Sequence, residues 1–192
     1  HTRLRRDWSS DVCSSDLINV LPIENYIASV INGEMPGSFP KEARKAQAIV
    51  ARTYALYQAV RRRSSEYDVY ADSRSQQYPG FQYRDKNGRR LAGENSKSRA
   101  IAFATLGIVC RSRGKLFHTY YSAVCGGRTL LGTEVFSDAT TAFHSTRCEW
   151  CRQAKRYRWT HTIPHAVLAS SLRDYFRKQR KAFGRLKSVS QV

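Results

Sequence analysis

Glu34 is the acidic residue whose place in the sequence most favours chemistry. It ends one short helical pattern, and the turn-forming run 35–40 separates it from a second, longer helical pattern. A carboxylic acid with a raised pKa can donate a proton near neutral pH and accept one back afterwards. The pattern therefore predicts a carboxylate held on a turn, although a lone glutamate at a helix end is more often a solvated side chain.

Cysteines form the second set of residues with chemical potential, and the chain has five of them. Cys148 and Cys151 have two residues between them, a spacing typical of zinc ligands, and Cys125 on a Gly-Gly turn supplies a third sulfur. We favour structural zinc, because cysteines so close in sequence disfavour pairing with each other. A disulfide of an exported protein and simple reduced thiols are the alternatives. Cys110 lies in a β-type pattern and is expected to be a small buried apolar residue.

Helical and β-type patterns alternate along the chain and must position these residues. The strongest helical pattern runs from Lys41 to about Arg63, with Pro40 at a favourable first-turn position and a broad apolar face of small residues. In chain order, the other predicted elements are a strand at 18–20, a helix at 23–33, a strand at 67–70, a polar loop at 72–80, a turn at 85–90, a helix at 95–105, a hairpin of 108–110 with 116–121, a strand at 157–163, a helix at 168–183 and a strand from 188. These patterns predict an α+β fold, a single domain with a mixed or antiparallel sheet, the long packed helix at about 41–63 and a cleft beside that helix.

The charge balance restricts the class of partner. The chain of 192 residues carries a net charge of +18 and has a sequence pI of about 10.2, so we expect an anionic partner such as nucleic acid, an anionic polymer or a membrane surface. The basic stretches at 61–63, 89–90 and 173–187 come without a zinc-finger, RNA-recognition or helix-turn-helix pattern, so no nucleic-acid partner is expected. No apolar run in the sequence is long enough to span a bilayer.

The N-terminal segment stands apart from the rest of the chain. Residues 7–17 are similar to the translation of a short-read sequencing adapter, and residues 1–17 have neither an apolar period nor the hydrophobic stretch of a signal peptide. We therefore expect residues 1–17 to be non-native and residues 18–192 to form one domain that is truncated at its C-terminus. On this interpretation the native N-terminus, with any signal peptide or membrane anchor, is missing.

Several sequence blocks occur in the order found in one known family. They are Val20–Ile27 (VLPIENYI), Gly33–Pro36 (GEMP), Phe39–Ala43 (FPKEA), Lys45–Ala48 (KAQA), Ala51–Ala55 (ARTYA), Gln76–Gly80 (QQYPG), Thr105–Gly107 (TLG), Tyr120–Ser122 (YYS), Cys125–Thr129 (CGGRT) and Tyr157–Trp159 (YRW). Together they resemble the stage II sporulation protein D family, whose relatives include the amidase enhancers. The similarity covers roughly residues 18–192.

The resemblance implies a lytic transglycosylase that cleaves the bond between N-acetylmuramic acid (MurNAc) and N-acetylglucosamine (GlcNAc) in peptidoglycan. It places the catalytic acid at Glu34. In this type of reaction the sugar's own C6 hydroxyl attacks the anomeric carbon and the product ends in a 1,6-anhydro sugar. One carboxylate can therefore serve as acid and then as base, unlike the paired carboxylates of hydrolases.

Other acids are weaker candidates. Asp72 is the second choice, for a helper role, and Glu134 is a further loop acid that can reach a cleft. Glu24 and Glu42 lie on helical patterns and are expected at the surface.

Six residues in the matching blocks are the expected substrate contacts: Lys45, Gln47, Arg52, Gln76, Tyr78 and Ser122. A cation such as Lys45 or Arg52 can bind a lactyl carboxylate or an acetamido oxygen, and an aromatic ring suits a sugar face. Capping of a neighbouring carbonyl by either cation, and core packing of Tyr78, are the alternatives.

The resemblance implies that some members of the family hold a zinc ion. Its cysteine and histidine ligands come from the regions that contain Cys125, Cys148 and Cys151 in this chain. A histidine is expected three residues before Cys125, where this chain has Ser122. We select His118 as the fourth ligand, with His144 or water as alternatives. Such a zinc ion would be structural and is not required for the chemistry.

The resemblance also implies an exported protein of the cell envelope. Its expected partners are peptidoglycan glycan strands and a cell-wall amidase or other sporulation cell-wall proteins. The main alternative is a non-catalytic amidase enhancer that adheres to the wall through its positive charge. A basic nucleic-acid-binding module is the third and weakest interpretation.

Overall fold

The computed structural model describes residues 2–6, 17–35, 37–63, 65–135 and 144–179. The chain divides into two compact units: unit 1 comprises residues 1–123 and 128–147, and unit 2 comprises residues 124–127 and 148–192. The strand predicted from residue 188 and the end of the helix predicted at 168–183 lie outside the described residues.

The described part of unit 1 contains five strands and four helices, which follow one another in short runs of the same type. Its elements are β1 (Thr2–Arg6), β2 (Leu17–Leu21), α1 (Ile23–Glu34), α2 (Lys41–Arg61), β3 (Val69–Tyr70), β4 (Gln82–Arg84), β5 (Arg90–Ala92), α3 (Ser96–Ala104) and α4 (Gly132–Val135). Strand β1 pairs antiparallel with β2 and parallel with β3, while β4 and β5 form a separate antiparallel pair. The predicted α+β fold with a mixed sheet and a long helix is confirmed, and part of the segment expected to be non-native, β1, takes part in the sheet.

The core of unit 1 lies where α1, α2 and α3 meet. Helix α1 contributes large buried side chains such as Tyr26 and Ile27, whereas α2 contributes the small residues Ala48, Ala51 and Ala55. Small side chains allow the backbones of packed helices to approach closely. Helix α3 begins at a capping box in which the Asn95 side chain accepts from the Ser98 N–H at 2.9 Å, which fixes its start within the predicted helix.

A buried ion pair joins the three helices. Arg52 on α2 donates to both carboxylate oxygens of Glu24 on α1, at 2.9 and 2.6 Å, and to the carbonyl of Ala102 on α3 at 3.0 Å. It also donates to the carbonyl of Ile108 at 3.0 Å. The expectation that Glu24 lies at the surface is therefore wrong, because this carboxylate neutralises the arginine inside the helix packing.

Two predicted β elements are wrong, the hairpin at 108–121 and the strand at 157–163. The predicted hairpin at 108–121 forms only an isolated bridge between Ser112 and Lys115. Its flanks dock on α2 instead: the Cys110 N–H donates to Thr53 Oγ1, and Thr119 Oγ1 donates to the Val50 carbonyl, each at 2.9 Å. Because the Cys110 N–H bonds to a helix side chain, it is not available for a strand ladder, and the Thr119 side chain holds the other flank on the same helix.

Unit 2 has one described helix, α5 (His165–Lys178). Residues 157–163, predicted as a strand, form a bend at 157–158 followed by irregular backbone, and they do not pair with a strand. Within the described ranges, no helix of either unit combines the length and the apolar character that crossing a bilayer requires.

Candidate functional site

Glu34 is the last residue of α1, and its carboxylate is fixed by the polar loop that follows β3. The Gln77 N–H donates to Glu34 Oε1 at 2.7 Å. The loop comes this close because Gly33 has no side chain, since a Cβ there would lie 2.4 Å from the Gln77 carbonyl oxygen. The local sequence Gly33–Glu34 thus lets the end of a helix meet a backbone donor from a distant segment.

The carboxylate lies in the wall of a cavity of about 410 Å³ in unit 1. Glu34 and Tyr54 line one part of it, and the rest is formed by residues 73–75, Gln77 and residues 118–121. Cavities of about 300–1,000 Å³ suit small organic ligands. The cleft predicted beside the long helix is therefore present, and its lining mixes aromatic rings with hydroxyl groups and charged side chains.

Tyr121 is the hydroxyl partner of the candidate acid. Burial, followed by the negative charge of Glu34, raises the pKa of the Tyr121 phenol well above its ordinary value. The ring keeps 37% of its exposure, but its oxygen accepts from Gln76 Nε2 at 3.3 Å, and Gln76 in turn accepts from the Tyr26 hydroxyl at 2.8 Å. The phenol is therefore held as a neutral donor at physiological pH.

An aromatic cluster forms a second wall of the cavity. The ring of His118 lies 4.9 Å from Tyr54, 5.5 Å from Tyr57 and 4.1 Å from Tyr120, measured between centroids. The sequence predicted His118 as a metal ligand, but the structure places it in this cluster of unit 1. His118 is stacked on Tyr57 and tilted against Tyr54 and Tyr120, and an aromatic face of such a cluster can receive the apolar face of a sugar ring.

Arg74 is the cation of the cavity wall. It bonds Asp72 through Nε at 3.0 Å and through Nη2 at 2.6 Å, and its guanidinium lies 3.9 Å from the centroid of the Tyr70 ring. The side-chain hydrogen bond from Arg74 lowers the pKa of Asp72. Asp72, expected as a helper acid, is thus positioned to orient Arg74 and is not among the residues that line the described cavity.

The three expected contacts on α2 lie away from the cavity lining. Lys45 pairs with Glu42 at 2.9 Å on the exposed side of the helix. Arg52 is 1% exposed and is held in the ion pair with Glu24. Gln47 is buried, and its Nε2 has no hydrogen-bond partner among the described residues. Arg52 therefore stabilises the helix packing, as the alternative interpretation of carbonyl capping proposed.

The three remaining expected contacts also lie outside the described lining. Gln76 is fully buried behind Tyr121, and Tyr78 stacks on Tyr26 in the core at 5.4 Å between centroids. Ser122 is exposed. Sequence reasoning missed Gln77 and Tyr121, although Tyr121 stands in one of the matching blocks and directly precedes Ser122.

Three thiols of unit 2 converge. The sulfur atoms of Cys125, Cys148 and Cys151 all lie within 4.8 Å of one another, and Cys125 Sγ is 3.9 Å from Cys151 Sγ. A hydrogen bond from the Gly127 backbone, with further help from the Cys148 thiol, lowers the pKa of Cys125. No disulfide joins the cysteines in the described ranges, so the group offers three converging free thiols, the arrangement that a thiophilic metal needs.

The histidines proposed as a fourth ligand are not part of this group. Among the described residues, the ligand atoms that converge are the three sulfurs alone. His118 belongs to the aromatic cluster, and His144 is an exposed residue of unit 1. The donor set fits a metal with three thiolate ligands, and the identity of the fourth ligand remains a prediction.

Comparison with known proteins adds an independent line of observation. A family model described as stage II sporulation protein (SpoIID) matches residues 13–110, a range that contains Glu34, α2 and the loop at 72–80 but not the three thiols of unit 2. An uncharacterized protein of Brachyspira hyodysenteriae is 32% identical over 160 residues, which are 83% of this chain and 40% of that protein.

Two Bacillus proteins are also similar to the chain. Stage II sporulation protein D of Bacillus amyloliquefaciens is 25% identical over 155 residues, 78% of this chain and 45% of that protein. The protein of the same name in Bacillus subtilis is 47% identical over 36 residues, 19% of this chain and 10% of that protein. The chain spans less than half the length of each of these three relatives.

Proposed function

Because the chain belongs to the stage II sporulation protein D family, we propose that it acts on the peptidoglycan of the cell envelope in a sporulation-related role. The finer proposal is lytic transglycosylation, in which the MurNAc–GlcNAc bond of a glycan strand is cleaved and a 1,6-anhydro end remains. The observation that carries it is the position of Glu34, anchored by the Gln77 N–H in the wall of a cavity rich in aromatic and hydroxyl groups.

The reaction needs one proton donor that later becomes a proton acceptor. Protonated Glu34 gives its proton to the glycosidic oxygen as the bond from that oxygen to the anomeric carbon breaks. The C6 hydroxyl of the sugar that contains this anomeric carbon then bonds to it, and the hydroxyl proton passes to the Glu34 carboxylate. The acid is restored and no water is consumed, so a single carboxylate suffices.

The neighbours of Glu34 have separate tasks in this proposal. The Gln77 N–H holds Oε1, so that Oε2 is the oxygen that carries the proton. Tyr121, a neutral phenol, donates a hydrogen bond to the carboxylate or to a sugar oxygen. The cluster of His118 with Tyr54 and Tyr120 receives a sugar face, since saccharides present apolar C–H faces between their hydroxyl groups.

Cys125, Cys148 and Cys151 are proposed to hold a structural zinc ion. Zinc would supply cross-linking of the Gly-Gly turn to the segment at 148–151, because it binds thiolates in closed structural sites. Water is the candidate for the fourth position that needs no residue outside this group. No step of the glycan reaction depends on this ion.

Purified peptidoglycan glycan strands without stem peptides test the reaction. The chain should release fragments with anhydro ends, detected by mass spectrometry, and Glu34→Gln should lower the rate by at least about 100-fold, as expected when a general acid is lost. Glu42→Gln is the matched control, because Glu42 is an exposed helical acid paired with Lys45. If Glu34→Gln cleaves as fast as the parent chain, Glu34 is not the acid.

The net charge of +18 favours a second candidate, a non-catalytic wall-binding amidase enhancer. In that case the chain sediments with peptidoglycan, stimulates a cell-wall amidase and releases no anhydro fragments. Tight, strongly salt-dependent binding to DNA without wall binding would instead indicate a nucleic-acid-binding module.

A further inference from the structure

Unit 2 contains an open groove of about 560 Å³ that none of the roles above uses. Gly126, Tyr157, Arg158, Trp159 and Thr160 line it. All five residues belong to unit 2. The groove therefore has to be explained from the contacts and exposure of this unit alone.

The Gly-Gly turn builds one side of the groove. Gly126 and Gly127 adopt φ values of 66° and 108°, which disfavour residues with a side chain. A Cβ at Gly127 would also lie 2.6 Å from the Tyr157 hydroxyl. The Cys148 N–H donates to the Gly127 carbonyl at 2.9 Å, so the turn that Tyr157 crosses is tied to the segment of the converging thiols.

Trp159 leaves 77% of its surface exposed at the groove. A large aromatic side chain gains free energy when a ligand covers it, and Trp159 lies in a groove that has polar groups beside it. Arg158 and Thr160 supply these polar groups, and the Arg158 guanidinium lies 5.9 Å from the Tyr157 ring centroid. An aromatic face, a cation and a hydroxyl group together match a sugar that carries a carboxylate.

We propose that this groove is a second saccharide-binding site, which takes an N-acetylated amino-sugar oligosaccharide that carries lactyl carboxylates. Trp159 stacks on the apolar face of one sugar ring, Thr160 bonds a sugar hydroxyl, and Arg158 pairs with a carboxylate. The choice of ligand rests on the proposed action on peptidoglycan. The groove itself contains no acid that could perform the cleavage, so its task is to bind the strand.

Hydrogen–deuterium exchange of the Glu34→Gln chain tests the groove separately from the chemistry. The probe is a GlcNAc–MurNAc tetrasaccharide with free lactyl carboxylates. At about ten times its dissociation constant, it should slow the exchange of covered amides by about ten-fold. We expect protection at residues 126–127 and 157–160, and the cavity of Glu34 reports independently at residues 73–77 and 118–121.

Two tryptophan variants decide whether the protection belongs to the groove. Trp159→Ala should weaken binding at 126–127 and 157–160 by about ten-fold or more, because it removes the stacking face. Trp150→Ala is the matched control, since Trp150 is 95% exposed in the same unit but does not line this groove. Protection confined to the Glu34 cavity would overturn the second site and leave the proposed function intact. Protection confined to the groove would support the second site and contradict the proposed function at Glu34.

A charge variant tests the class of sugar. Arg158→Gln should weaken binding of the tetrasaccharide to the groove by about two- to five-fold, the upper part of the range for one solvent-exposed ion pair. The same change should leave the affinity for neutral chitotetraose unchanged. Equal losses for both sugars would contradict the role of Arg158 as the carboxylate partner, and no loss for either would remove Arg158 from the site.

Discussion

Gly33 determines where the candidate acid is held, through the side chain that it lacks. In an interior helical position, Gly→Ala normally stabilises a helix by about 1 kcal/mol. Here a Cβ would lie 2.4 Å from the Gln77 carbonyl oxygen and 2.9 Å from Pro79 Cδ, and backbone cannot rotate away from such a clash. We therefore expect Gly33→Ala to lower the free energy of unfolding by about 1–3 kcal/mol. The clash should also displace the Gln77 N–H that holds Glu34, and the rate of anhydro-fragment release should then fall by about ten-fold or more.

The matched control for Gly33 is Gly37→Ala. No heavy atom lies within 4 Å of a Cβ built at Gly37, so its stability should change by less than about 0.5 kcal/mol. Urea unfolding and the glycan assay measure both variants. An unchanged Gly33→Ala chain would mean that the loop at 77–79 yields easily and does not position Glu34.

Two phenols with raised pKa values, those of Tyr26 and Tyr121, should make the chain less stable at alkaline pH. Burial raises the pKa of Tyr26 and of Tyr121 above the ordinary value of 10.0. Below pH 10 both phenols are neutral in the folded and unfolded chain; as pH rises further, the unfolded phenols ionise first and draw the equilibrium toward unfolding. For Tyr26, which is fully buried, the upper bound is about 1.4 kcal/mol per pH unit.

Urea midpoints at about pH 8 and 11 check the alkaline effect, on either side of the ordinary tyrosine pKa. Tyr26→Phe loses its hydrogen bond to Gln76 at both values of pH but should show the smaller decline between them. Tyr83→Phe changes a tyrosine that is 41% exposed on β4 and should decline as the parent does. Equal declines for all three chains would contradict the assignment to Tyr26.

The packing of three helices depends on the Glu24–Arg52 pair. Arg52→Met would leave the Glu24 carboxylate buried without its cation, and loss of one partner of a buried pair costs about 3–5 kcal/mol. Lys45→Met breaks the exposed pair with Glu42, which should cost less than about 1 kcal/mol. We expect this contrast in chemical unfolding, and the double variant Glu24→Met/Arg52→Met should be more stable than Arg52→Met alone. The opposite order would show that the pair is not the source of the loss.

Helices were the elements that sequence alone predicted well, because their signals are local. Apolar periodicity located α2 and predicted a helix at 95–105, where α3 lies. The predicted hairpin at 108–121 is wrong because Thr53 Oγ1 and the Val50 carbonyl on α2, far away in sequence, accept hydrogen bonds from its two flanks. Periodicity reports what a segment buries but not which distant group pairs with it.

In the candidate site, too, the local part was predictable from the sequence and the part assembled from distant segments was not. Glu34 could be selected because its turn and helix are adjacent to it in sequence. The rest of the cavity comes from residues 73–77 and 118–121, and tertiary packing alone brings these segments to Glu34. The same limit explains why Arg52 was taken for a substrate contact: its charge is visible in the sequence, whereas its buried partner Glu24 lies 28 positions away.

The two units differ in how much apolar surface they bury. In unit 1, α1, α2 and α3 enclose a continuous hydrophobic core. Among the described residues of unit 2, Ala169 is the only buried hydrophobic one. Units below about 70–80 residues rarely reach stability from a hydrophobic core alone and usually need a disulfide or a metal. Unit 2 has no disulfide within its described part but has three converging thiols.

Removal of the proposed zinc should therefore unfold unit 2 selectively. A metal present at about 1,000 times its dissociation constant stabilises the state that binds it by about 4 kcal/mol, which is more than the core around Ala169 can replace. A chelator should accelerate amide exchange across α5 and residues 148–163 while the core of unit 1 stays protected. Cys148→Ser should reproduce this loss and abolish the thiolate charge-transfer absorption of a Co²⁺-loaded chain. Cys110→Ser, outside the cluster in unit 1, should retain both. Equal protection of unit 2 with and without the chelator would show that these thiols stabilise the unit without a metal.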